Sequence, residues 1–137
     1  MTNWIIGHTN LFKCAISQNG ISNYESMFGV SDIGYFFTTN LFGSNPWNDS
    51  DTWKEKSPIT YAPNVETPTL FIHSMFDKRC PLNESLQMFT ALKYLGKTTK
   101  LIIYNEGSHL FKFFGPPSIR KERLHDMLDW FHQYLRQ

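Results

Sequence analysis

The sequence holds only two cysteines, Cys14 and Cys80. They form neither a C-x-x-C pair nor a disulfide framework, and their apolar surroundings read as those of buried thiols. It also lacks an excess of charge of either sign: 13 Lys plus Arg stand against 12 Asp plus Glu, with no basic run or arginine-rich stripe. Nucleic acid and anionic membrane are therefore excluded as expected partners. Long hydrophobic runs are missing too. The longest uncharged stretch, Ile33 to Asn48, is interrupted by Gly, Asn and Pro, so it is neither a spanning helix nor a signal segment. The N-terminus shows no basic n-region or small-residue cleavage site, and a soluble cytoplasmic protein is expected. His8, His125 and His132 have no metal-ligand spacing, no cofactor is expected, and no repeat or low-complexity tract is visible.

What is abundant is aromatic: 12 Phe, 6 Tyr and 4 Trp in 137 residues, enough for one modest domain with a real core. The opening "MTNWIIGHTN" reads like the end of a helix. "KCAISQN" is a short strand closed by the turn signal Asn19-Gly20. Residues 21 to 65 are irregular and aromatic, which predicts short helices and loops ended by Pro58 and Pro63. Tyr35, Phe36, Phe37, Trp47 and Trp53 could wall a specificity pocket, but core packing is the commoner fate of such residues. "TPTLFIHS" reads as a buried strand. Leu82, Leu86, Phe89, Leu92 and Leu95 recur at helical spacing before Gly96 as cap, and "TTKLIIYNE" is a third strand. A closing amphipathic helix opens near Pro117 and Ser118, with Leu124, Met127, Leu128, Phe131, Tyr134 and Leu135 on its apolar face.

Strands alternating with helices predict an α/β fold, a three-stranded parallel sheet flanked by helices. Reacting groups in such sheets gather at the carboxyl ends of the strands. The loops leaving the second and third strands are "HSMFDKRCP" and "NEGSHLF", so Asp77 and His109 arrive at one edge. On residues alone, His109 is a proton-transfer group, a metal ligand or a surface loop histidine, and Asp77 is its partner or a turn carboxylate before Pro81. In α/β-hydrolases the chain order is nucleophile, acid, histidine, and the nucleophile sits in a G-x-S-x-G turn. No such motif occurs in this chain.

These segments together resemble the prolyl oligopeptidase family of serine peptidases, particularly its acylaminoacyl peptidase and dipeptidyl peptidase branches. "LFIHSMFDKRCP" is similar to the family's strand and H-G-x-x-D-x-R-V-P loop, placing His73, Asp77, Arg79 and Pro81 on pattern positions. "LIIYNEGSH" resembles its E-G-x-H loop, with Glu106, Gly107 and His109 in place. "RKERLHDMLDWFHQYL" is similar to its closing helix, "SPITYAPNVETPTLF" to the approach to the acid strand, and "MTNWIIGHTNLFKCAIS" to the segment after G-x-S-x-G-G-Y. Ser74 for Gly and Cys80 for Val depart from the pattern.

The resemblance implies the C-terminal portion of an α/β-hydrolase catalytic domain, with Asp77 as triad acid and His109 as general base. It also implies that the serine, both oxyanion donors, the upstream strands and the β-propeller lie before Met1. The chain alone is then expected to be inactive toward peptide or acyl-peptide substrates. Its exposed strand edge would make it a homo-oligomer or a binder of the N-terminal half. His73 and Arg79 are expected to be structural, and Ser17, Ser74 and Ser108 sit in no glycine-flanked elbow. Two alternatives stay open: a fragment of a carboxylesterase-like or dienelactone-hydrolase-like enzyme, and a non-catalytic interaction module.

Overall fold

A computed structural model describes residues 1–135. Three strands, β1 (Ala15–Gln18), β2 (Thr69–Ser74) and β3 (Thr99–Tyr104), form a parallel sheet in the order β1-β2-β3. Ala15 aligns with Thr69, and Thr69 with Thr99. All six residues of the central strand β2 are buried, as a parallel strand covered on both faces must be. Its alternating side chains divide the core in two. Phe71 packs with Ile6, Ala62, Val65, Met88 and Leu92 on one face. Leu70 and Ile72 pack with Tyr104, Phe111 and Trp130 on the other.

Helix α1 (Thr2–Ile6) leads into β1, and three short helices follow it: α2 (Tyr24–Val30), α3 (Gly34–Phe42) and α4 (Ser50–Lys56). The Asn23 side chain caps α2 by accepting from the backbone N–H groups of Glu25 and Ser26. A 3₁₀ helix at Pro58–Asn64 leads to β2. Helix α5 (Leu82–Tyr94) joins β2 to β3, and the short α6 (Phe111–Phe114) and long α7 (Pro117–Leu135) follow β3. Helix α6 was not legible in the hydrophobic pattern.

Two helices present a different face from the one their leucines suggest. On α5 the buried residues are Glu84, Ser85, Met88 and Leu92, while Leu86 and Leu95 are exposed. The helix is rotated so that its two buried polar residues serve the loops described below. On α7 the inward row is Ile119, Met127, Trp130 and Tyr134, whereas Leu124, Leu128 and Leu135 are each about half exposed. Trp130 offers more area than any leucine, and its burial against Leu70 and Ile72 sets the rotation.

The aromatic segment also divides. Trp53 is fully buried, edge-on to Phe28 and Phe42, and its indole N–H donates to Ser44 Oγ. Core packing does not describe Tyr35, Phe36 and Trp47, which are 69%, 64% and 81% exposed. Their helix and loop lie outside the covered faces of the sheet.

Candidate active site

The loop after β2 is built around its own carboxylate. Met75 N–H donates to Tyr104 O at 2.8 Å, carrying the β2–β3 pairing past the strand end. Asp77 Oδ1 then accepts from the backbone N–H groups of Arg79 and Cys80, both at 2.9 Å, closing a turn of the Asx kind. That fixes one carboxylate oxygen and aims the other. Oδ2 lies 2.8 Å from His109 Nδ1, with the Asp77 side chain fully buried and that of His109 about a third exposed. Because Oδ2 can only accept, Nδ1 carries the proton and donates it, leaving Nε2 of the neutral ring as an acceptor.

His109 is delivered by the loop after β3. Gly107 takes φ +93° there, and a Cβ at that position would stand 2.4 Å from Phe111 Cβ. Only glycine fits this turn on both counts. The imidazole borders two cavities. One, about 770 Å³, is lined by Trp4, Asn19, Ile21, Tyr24, Phe42 and Cys80 among others; the second, about 370 Å³, includes Asp32, Phe76, Lys78 and Arg79. The aromatics facing the larger cavity are therefore Trp4, Tyr24 and Phe42, not those singled out in the sequence.

His73 stands behind the acid loop as a structural residue. It is fully buried, with Nε2 2.7 Å from Cys80 O and Nδ1 2.7 Å from Ser85 Oγ. The carbonyl can only accept, so Nε2 donates to it and the Ser85 hydroxyl donates to Nδ1. Burial pushes the His73 imidazolium below the usual histidine range, although the Cys80 carbonyl and Asp77, 3.8 Å away, pull the other way and His109 adds to the lowering. With the folded value below the unfolded one, the stabilisation is present above about pH 6.5 and is lost as pH falls. The thermal midpoint should drop between about pH 7.5 and 5.5 in the parent and drop less in His73→Gln; equal slopes by differential scanning calorimetry would refute this.

Arg79 is paired rather than free. Its Nε donates to Asp32 Oδ1 at 2.9 Å, Ser31 Oγ donates to Arg79 O at 2.7 Å, and Asp32 N–H donates to Lys78 O at 2.9 Å. These bonds latch the acid loop to the α2–α3 connection. Glu84 does the same for the loop after β1. Its Oε2 accepts from Ser22 and Asn23 N–H at 2.9 and 2.8 Å, and burial raises its carboxyl above the usual range. Glu84 and Ser85 were missed in the sequence because they read as the polar side of an amphipathic helix.

Among the described residues no substitute nucleophile stands opposite His109. Burial pushes the Cys80 thiol up to about 12, so it remains protonated at neutral pH. Ser17 is buried and Ser74 donates to Ser108 O. Among the described residues no serine hydroxyl is hydrogen-bonded to His109.

A parallel α/β sheet with a buried carboxylate and a partly exposed histidine on adjacent strand ends has the arrangement of an α/β-hydrolase catalytic domain. The sequence profile of the prolyl oligopeptidase family matches residues 1–137, and the chain belongs to that family. It is 47% identical over 135 residues to the peptidase YuxL of Bacillus subtilis, covering 98% of this chain and 20% of that protein. The human acylamino-acid-releasing enzyme is 30% identical over 104 residues, covering 72% of this chain and 14% of that one. Among solved structures, the uncomplexed acylaminoacyl peptidase of Pyrococcus horikoshii superposes with a TM-score of 0.96 at 39% identity, covering 100% of this chain and 22% of its own. The chain thus spans about a fifth of the length of such relatives. No helix among the described residues is long and apolar enough to cross a membrane.

Proposed function

We propose that this chain supplies the acid and the general base of a serine peptidase that hydrolyses peptide or acyl-amino-acid bonds. The observation that carries this is the 2.8 Å contact between buried Asp77 and His109, whose ring borders a cavity of about 770 Å³. In this reaction the serine belongs to polypeptide outside residues 1–137. Its Oγ attacks the substrate carbonyl as His109 Nε2 takes the hydroxyl proton, and Asp77 holds the imidazolium. The same proton passes to the leaving amine as the C–N bond breaks. Water then repeats the sequence on the acyl-enzyme, releasing the acid and restoring the serine. Ile21, Tyr24 and Phe42 give the cavity an apolar wall. Alone, the chain does not turn over substrate. Its free thiols, Cys14 and Cys80, suit a reducing compartment such as the cytoplasm.

The test is a hybrid in which this chain replaces the matching segment of the Pyrococcus horikoshii acylaminoacyl peptidase. Hydrolysis of an acyl-amino-acid anilide by the hybrid, abolished in His109→Ala, is the expected result. Cleavage of esters but not amides would favour the carboxylesterase reading. A folded hybrid that binds substrate without turnover would favour a non-catalytic module.

The same proposal extends to partners. Among the described residues β1 is paired on one side only, by β2, and beside it runs an apolar groove of about 330 Å³ lined by Ile5, Phe12, Cys14, Ile16, Met127 and Phe131 among others. An open strand edge flanked by apolar side chains invites a further chain. The isolated protein should scatter light as a dimer or larger species, or bind a polypeptide carrying the N-terminal half of the domain. A monodisperse monomer at micromolar concentration that also ignores that half contradicts this.

A further inference from the structure

Resting on that reading of His109, we infer that Asn19 and Ser74 are positioning residues for the base, clamping the two peptide groups on either side of it. The carbonyl before His109 is Ser108 O, and it accepts from Ser74 Oγ at 3.0 Å. The carbonyl after it is His109 O, and it accepts from Asn19 Nδ2 at 3.0 Å. With Asp77 on the ring, the base is held at three points from two other strand ends.

Each clamp is built into its strand. Asn19 N–H donates to Ile72 O, the residue takes φ +46°, and it is 7% exposed. Few side chains tolerate that left-handed backbone, and asparagine is among them. Its amide orientation is fixed, because a carbonyl partner demands the NH₂ group. Oδ1 is left buried without a partner. Ser74 is fully buried at the end of β2, and a residue without a side-chain donor there could not make this bond.

The His109 loop requires such support. Gly107 gives it a turn at φ +93°, and Asn105, Glu106, Ser108 and Leu110 around it are exposed. Proton transfer demands heavy atoms within about 3 Å, and a misplacement of about 1 Å costs roughly a hundredfold. Pinning both flanking peptides limits the pivot of the imidazole to its side-chain torsions.

The experiment is proton NMR of the ¹⁵N-labelled chain, following solvent exchange of the low-field Nδ1 proton of His109. Asn19→Asp keeps the left-handed backbone and removes the donor; Ser74→Ala removes the hydroxyl and Ser74→Thr retains it. Exchange should quicken roughly fivefold in each of the first two, the factor one ordinary hydrogen bond confers, and stay near the parent in Ser74→Thr. Asn19→Gly carries the same prediction should Asn19→Asp not fold. In the hybrid peptidase the two loss variants should lower kcat with KM unchanged, which a merely structural role would not produce. Parent-like exchange in Asn19→Asp and Ser74→Ala overturns the inference alone. A low-field proton that survives in Asp77→Asn overturns the pairing of Asp77 with His109, and the inference with it.

Discussion

Asp77→Asn should lower kcat of the hybrid peptidase by about four orders of magnitude while leaving its fold intact. The backbone N–H groups of Arg79 and Cys80 both point at Oδ1. They can donate only to the amide oxygen of an asparagine there, so its NH₂ must face His109 Nδ1. A donor at that place forces the ring proton onto Nε2, the nitrogen that has to receive the serine proton. The wrong tautomer is thereby locked in by the loop that made the acid effective. Steady-state kinetics on an acyl-amino-acid anilide, with circular dichroism to confirm the fold, gives the answer. A loss below about tenfold would mean that His109 does not depend on Asp77.

The largest stability effect is expected from Phe71→Ala, at about 3–5 kcal/mol. Phe71 is fully buried in the centre of β2 and packs against Ile6 of α1, Val65 after the 3₁₀ helix, and Met88 and Leu92 of α5, three separate segments. Truncation leaves a cavity that those segments cannot close together. Single domains are typically stable by only about 5–15 kcal/mol, so much of the margin would go. The acid loop begins immediately after this strand, so the site would loosen with the core. Urea unfolding followed by circular dichroism measures it, and a cost under about 1 kcal/mol would mean that the core relaxes around the hole.

The parallel sheet was legible because its three strands carry continuous apolar runs between clear breakers. The order of acid and histidine at adjacent strand ends followed from it, and the family's motifs named both residues. Helix rotation was harder to read. Counting leucines put Leu86 and Leu128 inside, whereas the area of Trp130 and the polar tasks of Glu84 and Ser85 decided otherwise. Buried polar residues that hold loops look like surface residues in a linear pattern, since their partners lie far along the chain. Asn19 is the sharpest case: it signals a turn in the sequence, and it also reaches His109 across 90 positions. The cavity wall was not legible for a related reason. Tyr24 and Phe42 come together only through the packing of α2 against α3, with their rings 4.9 Å apart.

The most direct test of the central claim is the intact mass of the purified chain, and of the hybrid, after exposure to a fluorophosphonate probe. The account predicts no adduct on the chain alone. It predicts one adduct on the hybrid, at the serine of the host segment, and slow or absent labelling in His109→Ala. A stoichiometric adduct on the isolated chain, mapped to Ser17, Ser74 or Ser108, would contradict it and make these 137 residues a complete enzyme.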